Sequence, residues 1–175
     1  MKTNVALIGF MGSGKTAVGR VLAEKLNKQF VEMDSLIEQR AGKSIPKIFT
    51  QDGEIAFRQL EIELTKEVAR GKSLVIACGG GIVLNKINID RLKGEAVIVY
   101  LTASPAVILK RTSADKNERP LLKNNKAATI GKLLRFRKPF YERAADITID
   151  SSKLDINSVA DEIIARLKKD ESFNF

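Results

Sequence analysis

The segment Gly9 to Thr16, GFMGSGKT, matches the spacing G-x-x-x-x-G-K-[ST] and follows directly on a short apolar run, Asn4 to Gly9 (NVALIG). Behind it, Val18, Val21, Leu22 and Leu26 recur at helical spacing, so the order is buried strand, glycine-rich turn, helix. That order and spacing describe a P-loop, in which backbone N–H groups converge on phosphate oxygens and a Cβ would crowd the approach. Gly12 and Gly14 leave the room; Lys15 reaches for the terminal phosphates, Thr16 offers its hydroxyl to Mg²⁺, and the helix N-terminus adds positive potential.

The remaining chain repeats the alternation. Strands are predicted over 30–33, 73–78, 96–101 (AVIVYL) and 147–149. Asp34 suits the N-cap of a helix running to Arg40 and stopped by Gly42. A long amphipathic helix from Asp52 carries Phe57, Leu60, Leu64 and Val68 toward the core, with Gly71 as its stop. Another opens with Pro105 in its first turn and has Val107, Ile108 and Leu109 on its apolar face; Val159, Ile163, Ile164 and Leu167 mark the last. Five strands alternating with helices imply an α/β, three-layer P-loop NTPase fold, a five-stranded parallel sheet with helices on both faces and right-handed crossovers. The polar stretch 115–125 (DKNERPLLKNN), punctuated by Pro120, reads as a mobile loop. A basic helix follows toward Arg137, where Pro139 is expected to end or kink it, and 171–175 is expected to be a disordered tail. With 175 residues, 44% of them hydrophobic, and no internal repeat or linker, one domain spanning 1–175 is the expectation.

Composition removes whole reaction classes. Without histidine there is no imidazole acid–base chemistry, and the one cysteine, Cys78, cannot close an internal disulfide. Catalysis is left to carboxylates, Lys, Arg, backbone amides and a hard cation held through oxygen. The net charge of +9 suits an anionic partner, and it is local: 110–143 holds eleven basic residues against three acidic ones. No apolar run is long enough for a membrane-spanning helix, and Gly9 interrupts the N-terminal apolar patch with no cleavage site behind it, so a soluble cytoplasmic protein is expected.

Three features point to a second ligand beside the phosphates. Glu32 and Asp34 lie two apart at the end of the second strand, where both carboxylates can face the crevice at the sheet's carboxyl edge. Arg58 sits early in the long helix beside Phe57. The triplet Gly79, Gly80, Gly81 ends the third strand and lets backbone approach a ligand closely. There is no N-K-x-D guanine-reading motif and little room for motor modules, so a small-molecule kinase suits the chain best.

These residues resemble the shikimate kinases, P-loop enzymes that move the γ-phosphoryl of ATP to the 3-hydroxyl of shikimate, giving shikimate 3-phosphate and ADP in chorismate and aromatic amino-acid biosynthesis. The resemblance runs nearly end to end, through GFMGSGKT, MDSLIEQRAGKSIPKIF, DGEIAFRQLE, GGG, ERPLL and RKPFYERAAD. It implies that ATP is held by Gly12, Ser13, Gly14, Lys15, Thr16 and Ala17, with Arg111 on the adenine side. It implies that Asp34, Arg58, Gly79, Gly80, Gly81 and Arg137 hold shikimate, the Asp on ring hydroxyls and the arginines on the carboxylate. Arg119 falls on a lid, here about 115–125, that closes over ATP and neutralises charge on the moving phosphoryl. Catalysis then rests on Asp34, Lys15 and Arg119, with Mg²⁺ on Thr16. The family has Asp-x-Asp where this chain has Glu32-Met33-Asp34; its first Asp approaches the metal through water, so Glu32 implies a shifted metal shell.

The partners implied are ATP and shikimate, with no nucleic acid, no membrane and a monomeric state. A kinase for gluconate or a nucleoside monophosphate is the nearer rival reading. A nucleic-acid-binding regulator using Arg135 to Tyr141 is the other; helical packing of Phe136, Phe140 and Tyr141 accounts for that segment more simply.

Overall fold

The computed structural model describes residues 1–115, 122 and 125–175. Its sheet has five parallel strands, β1 (Asn4–Ile8), β2 (Gln29–Glu32), β3 (Leu74–Ala77), β4 (Ala96–Thr102) and β5 (Ile147–Asp150), in the order β2-β3-β1-β4-β5. Every residue of β1 and β3 is buried, as expected of strands covered on both faces. Side chains alternate between two cores: Ala6 and Ile8 face one that includes Met33, Ile48 and Tyr141, while Val5 and Leu7 face one that includes Leu22, Val159 and Ile163.

The helices are α1 (Lys15–Leu26), α2 (Met33–Ala41), α3 (Ile45–Gln51), α4 (Gly53–Val68), α5 (Lys86–Glu95), α6 (Pro105–Ala114), α7 (Lys126–Ala144) and α8 (Ile156–Leu167). Helices α1 and α8 cover one face; α2, α3, α4, α5, α6 and α7 contribute to the core on the other. Gly42 ends α2 in the left-handed conformation at φ 66°, as expected of a glycine stop.

Several expectations change. Asp34 is not the N-cap of α2, because the helix already starts at Met33 with Glu32 in the capping position; Asp34 lies in the first turn. The short helices α3 and α5 were absent from the sequence reading. Helix α7 does not end at Pro139 but continues to Ala144, since Tyr141 and Ala144 beyond the proline are buried and offset the missing N–H.

The tail is also ordered. Phe173 is 6% exposed in the α1/α8 core, Lys2 N–H donates to Ser172 O at 2.7 Å, and Asn174 N–H donates to Lys2 O at 2.8 Å. The chain's two ends pair as a single parallel bridge that tucks the aromatic ring beneath them. Of the loop 115–125, Leu122 is buried in the core and Asn125 stands at the N-cap position of α7; 116–121, with Arg119, and 123–124 lie outside the described residues. Replacing Phe173 by Ala should lower unfolding stability by about 3 kcal/mol, the scale for emptying a buried aromatic site. Chemical denaturation reads this, and an unmoved midpoint would return the tail to a frayed state.

Candidate active site

Parallel strands deliver their following loops to one edge, and this edge carries a cleft of about 1230 Å³. On the β1 side lies the loop Gly9 to Gly14. Gly12 and Gly14 have φ of 77° and 97°, a region that side-chain-bearing residues adopt at a cost, and Gly14 is the N-cap of α1. The Lys15 ammonium spans the loop, donating to Gly9 O at 2.8 Å and Phe10 O at 2.9 Å. Thr16 Oγ1 donates to Glu32 Oε1 at 2.5 Å, and Glu32 Oε2 accepts from Ser35 Oγ at 3.0 Å with Arg20 at 3.8 Å. A hydroxyl and a carboxylate therefore meet at the foot of the phosphate loop, an all-oxygen donor set that fits Mg²⁺.

On the β3 side the glycine triplet forms a floor for charged groups. None of the three glycines has positive φ, so their need is space rather than backbone freedom. A Cβ at Gly79 would stand 2.9 Å from Asp34 Oδ1 and 3.0 Å from Glu61 Oε2. One at Gly80 would stand 3.6 Å from Arg137 Nη1, and one at Gly81 would collide with the Arg58 guanidinium. Two carboxylates and two guanidiniums thus crowd against three residues without side chains.

Arg58 donates to Glu61 Oε1 at 3.0 Å and lies 3.3 Å from Glu54; its guanidinium also packs 5.0 Å from the Phe57 ring centroid. Arg137 is 3% exposed, with Nε unpartnered, 5.8 Å above the Phe10 ring. Phe49 and Phe57, with centroids 4.9 Å apart, line the apolar wall between α3 and α4.

On the far side of the phosphate loop, Arg111 donates to Gly12 O at 3.1 Å and to Ser151 O at 2.9 Å, and it lines both the main cleft and an adjoining cavity of about 300 Å³. Ser13 and Ala17 also line that smaller cavity. The sequence-predicted residues Gly12, Gly14, Lys15, Thr16, Ala17, Glu32, Asp34, Arg58, Gly79 to Gly81, Arg111 and Arg137 all line the main cleft, and only Arg119 falls outside the described residues.

Three polar residues take places at or beside the site that the sequence did not assign to them. Glu61 is fully buried, and that burial pushes its carboxyl up to about 7 despite the opposing pull of Arg58. A signal existed: Glu61 shares the face of α4 with Phe57 and Leu64, where an acid must be paired. The Tyr141 hydroxyl donates to Gly80 O, and its ring stacks on Tyr100 at 4.9 Å. Ser151 bonds the phosphate loop itself. Cys78 is buried, and desolvation pushes its thiol up to about 12, so it stays a neutral packing group.

The basic stretch is less focused than its sequence implies. Arg111 and Arg137 face the cleft, whereas Lys132, Arg135, Lys138 and Arg143 lie exposed along α7.

A family model described as shikimate kinase matches residues 11–168. The shikimate kinase of Caldanaerobacter subterraneus subsp. tengcongensis is 46% identical, over 92% of this chain and 94% of that one. That of Pelotomaculum thermopropionicum is 40% identical, over 95% and 96%. Among solved structures, the shikimate kinase from Acinetobacter baumannii in complex with shikimate superposes with a TM-score of 0.93 at 37% identity, covering 98% of this chain and 96% of that one.

The raised Glu61 carboxyl carries a pH signature. A group whose folded value stands near 7 against an ordinary 4.5 favours the folded state fully below about 4.5, and that contribution fades as pH rises through 7. The loss amounts to about 3 kcal/mol by linkage. Glu61→Gln should flatten the stability profile between these limits in urea melts taken across pH. An unchanged slope would place the titrating group elsewhere.

Proposed function

The chain belongs to the shikimate kinase family, and from that premise we propose a division of labour among the residues that meet in its cleft. The reaction is transfer of the γ-phosphoryl of ATP to the 3-hydroxyl of shikimate, giving shikimate 3-phosphate and ADP. The observation that carries the proposal is convergence: the phosphate loop with Lys15 and the Asp34, Arg58 and Arg137 set open into one cleft.

The amides of Gly12 to Ala17 cradle the triphosphate, with the α1 dipole behind them. Lys15 leaves the loop carbonyls to neutralise the terminal phosphates. Thr16 would hold Mg²⁺, with Glu32 acting through water, and the cation would supply charge neutralisation on the phosphates. Arg111 flanks the adenine. The role of Arg119, charge neutralisation on the moving phosphoryl, rests on the sequence resemblance alone.

Arg58 and Arg137 grip the acceptor carboxylate, since planar guanidinium forks match its two oxygens. Glu61 orients Arg58, and Gly79 to Gly81 supply the floor on which the ring lies. Asp34 accepts a hydrogen bond from the 3-hydroxyl. As that oxygen attacks the γ-phosphorus in line with the departing ADP oxygen, its proton passes to the Asp34 carboxylate. Positioning and electrostatics supply most of the acceleration. We further propose a single P-loop kinase domain over 1–175, acting as a cytoplasmic monomer.

A coupled ADP-release assay should show turnover with shikimate and none with gluconate or nucleoside monophosphates; the opposite preference would retire the proposed acceptor. Lys15→Ala and Asp34→Asn should each lower kcat at least about 10²-fold. Arg58→Ala and Arg137→Ala should raise the shikimate KM and leave ATP affinity near normal in folded protein. Titration calorimetry showing the reverse would dissolve the carboxylate clamp.

A further inference from the structure

The phosphate loop is pinned from outside by the end of β5. Ser151 is 3% exposed, and its Oγ donates to Ser13 O at 2.7 Å, with Thr102 O as a longer second acceptor at 3.1 Å. Its backbone is fixed at both ends: Ser151 N–H donates to Thr102 O at 2.8 Å, continuing the β4/β5 ladder, and Ser151 O accepts from Arg111 at 2.9 Å. Arg111 also donates to Gly12 O at 3.1 Å and approaches Ser151 Oγ at 3.3 Å. Two consecutive loop carbonyls, of Gly12 and Ser13, are thus tied to the rigid edge of the sheet.

The consequence follows from peptide geometry. In a planar trans peptide, C=O and N–H point in opposite directions. Holding Ser13 O against Ser151 turns the Gly14 N–H away from β5, toward the cleft that Lys15 and Thr16 line. Gly12 and Gly14 impose little conformational preference of their own, so the plane between them needs an external anchor. Ser151 lines only the smaller cavity and stays out of the main cleft, so its influence on the phosphates passes through the loop.

We propose that Ser151 is a positioning residue for nucleotide affinity, aiming the Gly14 amide at the phosphates through its hydrogen bond to Ser13 O. The proposal rests on the reading of Gly9 to Thr16 as the ATP site. It is silent about the acceptor side, so shikimate affinity serves as an internal control.

The test compares the wild type with Ser151→Ala and Ser151→Thr, using calorimetric titration with ATP, with inorganic tripolyphosphate and with shikimate. Ser151→Ala should weaken ATP and tripolyphosphate alike by at least about fivefold, the scale for stranding a buried acceptor. The shikimate Kd should stay put, and the ATP KM should rise while kcat at saturation holds within about twofold. Ser151→Thr, which keeps the hydroxyl, should restore both phosphate ligands. Loss for ATP without loss for tripolyphosphate would assign Ser151 to the base and overturn the proposal, as would unchanged affinity for both. Should Ser151→Ala fail to fold, Ser151→Cys, close in size with a weak donor, carries the same expectation. A wild type that binds neither phosphate ligand would instead sink the ATP-site reading beneath it.

Discussion

The in-register parallel pairing of β1 with β3, Val5 against Val75 through Leu7 against Ala77, fixes where the chemistry takes place. Cys78 N–H extends the ladder by donating to Leu7 O at 3.0 Å, so the two glycine-rich loops leave the sheet side by side. A Cβ at Gly80 would stand 3.4 Å from the amide nitrogen of Met11. The two loops are therefore adjacent because two buried strands are adjacent. The next pairing, β3 with β2, brings Glu32 opposite Ala77 and so delivers Asp34 to the same edge. Hydrophobic burial of the central strands stabilises this arrangement without any contact from the ligands.

That floor concentrates charge in a place where charge is expensive. Glu61 and Arg137 are buried, Arg58 nearly so, and each lies in the field of the others. Removing such ions from water costs several kcal/mol each, recovered only in part by pairing. The raised Glu61 carboxyl is the visible residue of that cost, since burial outweighs the opposing pull of Arg58. The Tyr141 bond to Gly80 O holds the floor to α7, so the helix that supplies Arg137 also positions the backbone beneath it.

Features governed by local pattern were legible in the sequence. The strands β1, β3 and β4 announced themselves as apolar runs, and α8 by residues 159, 163 and 167 on one face. The phosphate loop could be read because its glycines are a local backbone requirement. What escaped has causes distant in the chain or lies in segments too short to establish a period. Helix α3 has seven residues, too few for periodicity, and α5 buries only Asn88, Ile89 and Leu92 within a polar sequence. The docking of Phe173 depends on Lys2, and the Ser151 contact joins residues 138 apart through a main-chain carbonyl that no side-chain pattern records. Helix α7 passes Pro139 because tertiary burial beyond it outweighs a local penalty.

The Glu32 substitution shows how such a departure is absorbed. The Glu32 carboxylate touches the Thr16 hydroxyl directly, and Ser35 and Arg20 hold its second oxygen. A hydroxyl has one proton and two lone pairs. Committing the proton to Glu32 leaves the lone pairs of Thr16 available to a cation, so this hydrogen bond orients the metal donor instead of competing with it. Charge and donor type are conserved while the reach changes, which is why a longer acid is compatible with the same phosphate loop.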